Sequence, residues 1–269
     1  MGTTQRIVPG VSGQPNWGDL NKAITHIAKS VVDEKSLDQK KLKPEVEGKQ
    51  FKKISDRQTI HKKSAYRGLV RTGGGIKVIS SGKSKSIGRS GIRSVGKFVG
   101  FSVNVNRVGL EQALTDVGFG SLSGKNLYDV IDFLLVYCSD TNAGMDETAA
   151  NKATSEILEE IALTSENDIN KFEEILQNYV QTNGLADVLC KFFGLYIYEH
   201  LSQRFEEKIT QQKGIEVSKH TFAITKEDII GQVKFLNESR PVDKIEWNGA
   251  EGREKIEDIF ESIIKIICD

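Results

Sequence analysis

The chain is 269 residues long, 38% hydrophobic, and carries 37 basic and 37 acidic side chains, which is enough to bury a sizeable core without covalent staples. Its three cysteines, Cys138, Cys190 and Cys268, are odd in number, far apart and set in apolar helical contexts; this argues against a disulfide framework or a CxxC metal site and suits a reducing cytosol. No apolar run approaches the roughly 20 residues of a membrane span, and the first residues lack the basic start and apolar run of a secretory signal, so a cytoplasmic protein without a membrane segment is expected.

In chain order, residues 1–18 hold Pro9, Pro15 and four glycines with no period of 2 or 3.6 in their apolar positions, which predicts an extended, flexible N-terminal tail. Asp19 then reads as an N-cap. Leu20, Ala23, Ile24, Ile27, Ala28 and Val31 recur at helical spacing behind it, with Trp17 placed to staple the start. From Asp33 to Arg57 the chain is rich in Lys, Glu and Gln and poor in large apolar residues, which reads as a linker. Residues 19–57 are therefore assigned as a short helix and a Lys-rich linker.

Residues 58–106 form a basic, Gly/Ser-rich segment. Ala65, Leu69 and Val70 predict a short helix ended by Gly73, Gly74 and Gly75. The stretch SIGRSGIRSVGKFVGF spaces Ile87, Ile92, Val95, Phe98 and Val99 for one helix face, although each glycine inside a helix costs about 1 kcal/mol. Such tolerance predicts either a neighbouring backbone pressed close or a segment that orders against a partner.

Residues 107–269 read as an acidic helical bundle. Apolar faces recur at Leu110 to Val117, Leu127 to Leu135 and Ala150 to Ile161. Ser165 and Asp168 resemble a capping box for a helix carrying Phe172, Ile175, Leu176 and Tyr179, stopped by Asn183 and Gly184. Leu185 to Leu201 make the longest and most apolar helix, the expected centre of the bundle. Thr225 and Asp228 are read as caps of another short helix, and Ile256 to Ile267 as a final amphipathic one. The fold class is mainly α: a helical bundle with an extended flexible N-terminal tail.

Charge is strongly divided along the chain. Residues 1–110 carry 22 Lys and Arg against 7 Asp and Glu, a net of +15, leaving −15 for residues 111–269. Between Arg57 and Arg107 there are twelve basic residues and no acidic one, the footprint of contact with phosphates or an acidic partner. Two readings stand. The acidic half docks its own basic half, or the segment is a nucleic-acid-binding module using Lys83, Lys85, Arg89, Arg93 and Lys97 on a polyanion, whose affinity would then fall steeply with salt.

No catalytic constellation is recognisable. In GGGIKVISSGKS six residues rather than four separate Gly75 from Gly82, Lys83 and Ser84, so the spacing does not fit a nucleotide-hydrolysing loop, although the backbone amides of such a loop can still hold a phosphate passively. His26, His61, His200 and His220 do not cluster with carboxylates at metal-ligand spacing, and no HExxH is present. Glu199 and His200, and the Glu159 and Glu160 pair, lie in strongly periodic helices and read as solvated faces. Ser12, Ser64 and Ser94 lie in no GxSxG elbow. A non-enzymatic protein with no metal and no resident cofactor is expected.

Met1, Gly2, Thr3 and Thr4 carry one chemical opportunity. Methionine before glycine is normally trimmed, and the freed glycine amine, with a reference pKa of about 7.7–8.0, is partly unprotonated near neutrality and unhindered. N-myristoylation is disfavoured because Arg6 stands where that motif needs Ser or Thr.

The order of these features resembles the QatB family of the bacterial Qat (QatABCD) antiphage defence systems. The likeness lies in Met1 to Thr4 with the Gly/Pro tail behind them, the basic GKSKSIGRSGIRSVGKF, the helix GLEQALTDVGFGSLSGKNLYDVIDFLLVYC and the segment MDETAANKATSEILEEI. The Lys-rich stretch from Asp33 to Arg57 departs from the family's common form. The resemblance implies a non-enzymatic antiviral component that works through protein–protein interaction with a QueC-like QatC, a QatA-type ATPase and a TatD-like QatD nuclease. It further implies an N-terminal glycine modification, in which Gly2 accepts a 7-deazaguanine through an amide bond made by the QueC-like partner. Thr3 and Thr4 would be the nearest recognition elements.

Overall fold

The computed structural model describes residues 17–39, 44–139, 144–182, 184–239, Trp247 and 249–269. Among these there are eleven helices and no strand: α1 (Gly18–Asp38), α2 (Pro44–Thr72), α3 (Ile76–Ser80), α4 (Arg89–Val108), α5 (Leu110–Asp116), α6 (Leu127–Cys138), α7 (Met145–Thr164), α8 (Ile169–Gln181), α9 (Gly184–Lys213), α10 (Ile215–Ser239) and α11 (Gly249–Cys268). None is long and apolar enough to cross a membrane.

The central element is α9. Its first five turns carry apolar side chains round the whole circumference, from Leu185 to Leu201, a pattern that is stable only when other helices cover every side. They do: α9 packs on α1, α4, α7, α8, α10 and α11. Phe193 stacks on Phe260 of α11 with ring centroids 4.1 Å apart, and Ile256, Ile259, Ile263, Ile264 and Ile267 bury the same face of α11. One continuous core runs from Leu20 to Cys268. The cysteines in it are free thiols, with Cys138 and Cys190 pushed up to about 12 by burial and so unreactive.

The stretch read as a linker is helical in its described part. α1 continues to Asp38, and α2 begins at Pro44 and runs unbroken to Thr72. Lysine, glutamate and glutamine are good helix formers, and the few buried residues of α2, Ile54, Ala65, Tyr66, Gly68 and Leu69, suffice to seat it, since α2 packs on α1 and α11. A sparse apolar stripe reads as linker only when the partner helix is unknown.

Three expected caps are placed differently. Trp17, not Asp19, occupies the N-cap of α1 and offers no side-chain cap; Asp19 lies in the first turn, where its charge favours the helix dipole. Thr225 and Asp228 sit inside α10, with Thr225 Oγ1 bonding back to the Thr221 carbonyl and Asp228 accepting from Tyr66 of α2 at 2.8 Å. Ser165 closes α7 while Asp168 alone caps α8, accepting from Asn170 and Lys171 N–H groups. Cap residues in sequence mark an end only when no tertiary partner claims their oxygen.

The basic and acidic portions meet in part. Lys62 pairs with Asp228 at 3.4 Å, and Arg67 Nε donates to the Cys268 carbonyl at 2.8 Å, placing cations of α2 at the negative end of α11.

Candidate functional site

Polar chemistry gathers where the first turns of α4 and α7 meet the middle of α9. α4 starts behind Gly88, which has φ +113° and no side chain to cap the helix. A Cβ there would lie 2.3 Å from the Ile79 carbonyl oxygen, so only glycine permits this approach. The missing cap comes from another helix. Asp146, in the first turn of α7, accepts from Gly88 N–H at 3.1 Å and from Ser90 N–H at 2.8 Å.

The same carboxylate takes two further donors from α9. His200 Nε2 stands 2.9 Å from Asp146 Oδ1, and the Tyr196 hydroxyl donates to that oxygen while accepting from Gly88 N–H. Burial by itself would raise the Asp146 carboxyl; the contacts from His200, Tyr196 and Ser90 outweigh it and hold the group well below the usual carboxylate range. Burial pushes Tyr196 well above its ordinary value, reinforced by the Asp146 charge. His200 is completely buried, and that burial lowers its pKa against the opposing pull of Asp146. Nε2 donates to the carboxylate, and the buried Nδ1 has no partner among the described residues.

One turn further along α9, Arg204 lies with its guanidinium carbon 3.7 Å from the Trp17 ring centroid, a close cation–π contact. Trp17, Arg204 and Asp146 wall a cleft of about 310 Å³ that is also lined by Ser84, Lys85 and Ser86 of the segment before α4 and by Arg89, the first residue of α4. The cleft opens beside the start of α1.

Of the sequence-predicted residues, Lys85 and Arg89 come together at this cleft. Lys83 and Arg93 are exposed but are not among its walls. Lys97 is turned inward: its ammonium donates to the carbonyls of Tyr137 and Ser139, both at 2.8 Å, and closes the C-terminal end of α6. Gly2, Thr3 and Thr4 lie outside the described residues. The reading of Glu199 and His200 as a solvated face is overturned, since His200 is buried against Asp146 and Glu199 is half-buried with Lys152 at 3.0 Å.

Asp146, Tyr196 and Arg204 are not singled out by sequence, and His200 is named there only to be set aside. A signal existed in α9: Tyr196, His200 and Arg204 follow at intervals of four, one polar stripe on a helix otherwise apolar all round. Nothing local tied that stripe to Asp146. No group of three or more His, Cys, Asp or Glu among the described residues is arranged to hold a metal ion.

Among its described residues the chain is an all-helical protein in which Asp146 joins three helices and the cations Lys85, Arg89 and Arg204 border one cleft. The family model of QatB, the Qat anti-phage system associated protein, matches residues 80–267, and the chain belongs to that family. This places it in an anti-phage defence system. No curated protein and no solved structure matches it.

Proposed function

We propose that the chain is a protein substrate and adaptor of the Qat system. After removal of Met1, the Gly2 amine attacks a 7-deazaguanine carboxylate that the QueC-like QatC has activated with ATP. An amide bond forms, the adenylate leaves, and the amine gives up its proton. Thr3 and Thr4 are the elements the enzyme reads next to the acceptor, and the helical body engages the other Qat components, the QatA-type ATPase and the TatD-like QatD nuclease.

The observation that carries this reading is the position of Trp17, held under Arg204 at 3.7 Å. It separates Gly2 from the folded body by a stretch that can reach at most about 50 Å when extended. An amine on a tether of that length can enter a partner's active site without any helix unfolding, which α9 and its neighbours would resist.

The test is the mass of the amino-terminal peptide, from protein made beside its native neighbour genes and again without the QueC-like gene. A deazaguanine amide on Gly2 that depends on that gene is the expected result. An unmodified glycine in both preparations would overturn the acceptor role.

A further inference from the structure

The glycine-rich stretch that fails as a hydrolytic phosphate loop forms a wall of the cleft described above. Its last residue, Ser84, lines the same cavity as Trp17 and Arg204, together with Lys85, Ser86 and Arg89 just beyond the stretch. We infer that this cleft is a binding site for a small phosphate-bearing ligand of mononucleotide size, its phosphate held by Lys85, Arg89 and Arg204 and its ring set against Trp17.

The charge arrangement carries the argument. Several other cations of the chain are spent: Lys62 on Asp228, Lys97 on two carbonyls, Lys152 on Glu199. Lys85, Arg89 and Arg204 have no ion pair or hydrogen bond among the described residues, although all three border one cavity. The nearby Asp146 carboxylate has its oxygens engaged by two backbone amides, a tyrosine and a histidine, and forms no ion pair with the three cations among the described residues. Arg204 Nε is buried without an acceptor, and burial, opposed by Asp146 and Tyr196, pushes its guanidinium down to about 10. An anion in the cleft offsets the burial of that charge.

The remaining walls fit the rest of a nucleotide. Ser84 Oγ accepts from Ser86 N–H at 3.2 Å, which leaves its proton for a phosphate oxygen. Glu147 also borders the cleft and forms no ion pair or hydrogen bond among the described residues, so it can accept from a base amine or ring N–H. The volume of about 310 Å³ lies at the lower end of small-molecule sites; inorganic phosphate alone would leave most of it filled with water. This site is independent of the tail reaction proposed for Gly2.

The experiment is calorimetric titration of the full chain with AMP, GMP, ATP, GTP, inorganic phosphate and a single-stranded DNA of about 12 nucleotides, all at about 0.15 M salt. Saturable binding of at least one of the four nucleotides, with inorganic phosphate at least about tenfold weaker, is expected. The double substitution Lys85→Ala, Arg89→Ala should weaken it by about tenfold or more, while Lys83→Ala, outside the walls, should change it less than about twofold. Both substituted side chains are exposed and bond to nothing described, so the double variant keeps its fold, which circular dichroism checks. No saturable heat with any of the four nucleotides would overturn the inference. So would nucleotide binding that the double variant leaves intact, or DNA bound more tightly than every mononucleotide and weakened equally by Lys83→Ala.

Discussion

Asp146 Oδ1 and His200 Nε2 lie 2.9 Å apart, joining the first turn of α7 to the middle of α9 across 54 residues of sequence. The same carboxylate caps α4 through Gly88 and Ser90, so one side chain fixes the mutual positions of three helices. Asp146→Ala leaves the Ser90 amide, a tyrosine hydroxyl and a histidine N–H without their acceptor, while Gly88 N–H keeps only the Tyr196 oxygen. The loss should be on the order of 3 kcal/mol, read by urea denaturation. A change below about 0.5 kcal/mol would mean that water replaces the carboxylate without cost.

Acid should weaken the fold in two stages. His200 is lowered in the folded state, so below about pH 6.5 the unfolded chain binds the extra proton and stability falls as pH drops. Asp146 is also lowered; its contribution is complete above about pH 4 and is lost as pH falls further. Above pH 7 neither group contributes a slope. His61 is lowered too, by burial, His26 and Arg57, and titrates in the upper window. Denaturation midpoints of His200→Gln and His61→Gln between pH 5 and 7 separate the two, and an unchanged slope in His200→Gln would assign the upper stage elsewhere.

The glycines of α4 should respond to alanine with opposite signs. At Gly91 a Cβ would lie 2.9 Å from the Tyr196 ring, and Tyr196 is held on both sides by its hydrogen bonds, so Gly91→Ala should destabilise by about 1–3 kcal/mol. Gly96 has nothing within 4 Å of the same position, and Gly96→Ala should stabilise by up to about 1 kcal/mol. Thermal melts of the two variants side by side make the check, and equal shifts would count against the packing assigned to Tyr196.

Lys97→Ala should cost about 1–2 kcal/mol, because the ammonium bonds two carbonyls at the end of α6. Lys83→Ala, on an exposed side chain, should fall within about 0.5 kcal/mol. Chemical denaturation reads both. Equal small effects would show that Lys97 is free to face an external polyanion.

What the sequence determined by itself is the set of helices and the buried faces of most of them. Apolar residues at three-to-four spacing are a local property, and Ile256 to Ile267 or Leu185 to Leu201 carry it wherever the rest of the chain lies. Of the two readings of the glycines within residues 87–99, close packing holds at Gly88, against the Ile79 backbone, and at Gly91, against the Tyr196 ring rather than a backbone, while Gly96 has nothing within 4 Å. The Lys-rich segment was misread because α2 buries few residues and gains its stability from α1 and α11, which its own pattern cannot reveal. The capping signals at Thr225 and Asp228 failed because each oxygen has other work inside α10: the Thr225 hydroxyl donates to the Thr221 carbonyl of its own helix, and the Asp228 carboxylate accepts from Tyr66. Only the tertiary structure decided that Asp146 meets Gly88, Tyr196 and His200, and that Lys85 and Arg89 line one cleft with Arg204. Hydrogen bonds and charge pairs depend on distances of a few ångströms between elements far apart in the chain, and helical periodicity contains no information about which helix becomes the neighbour.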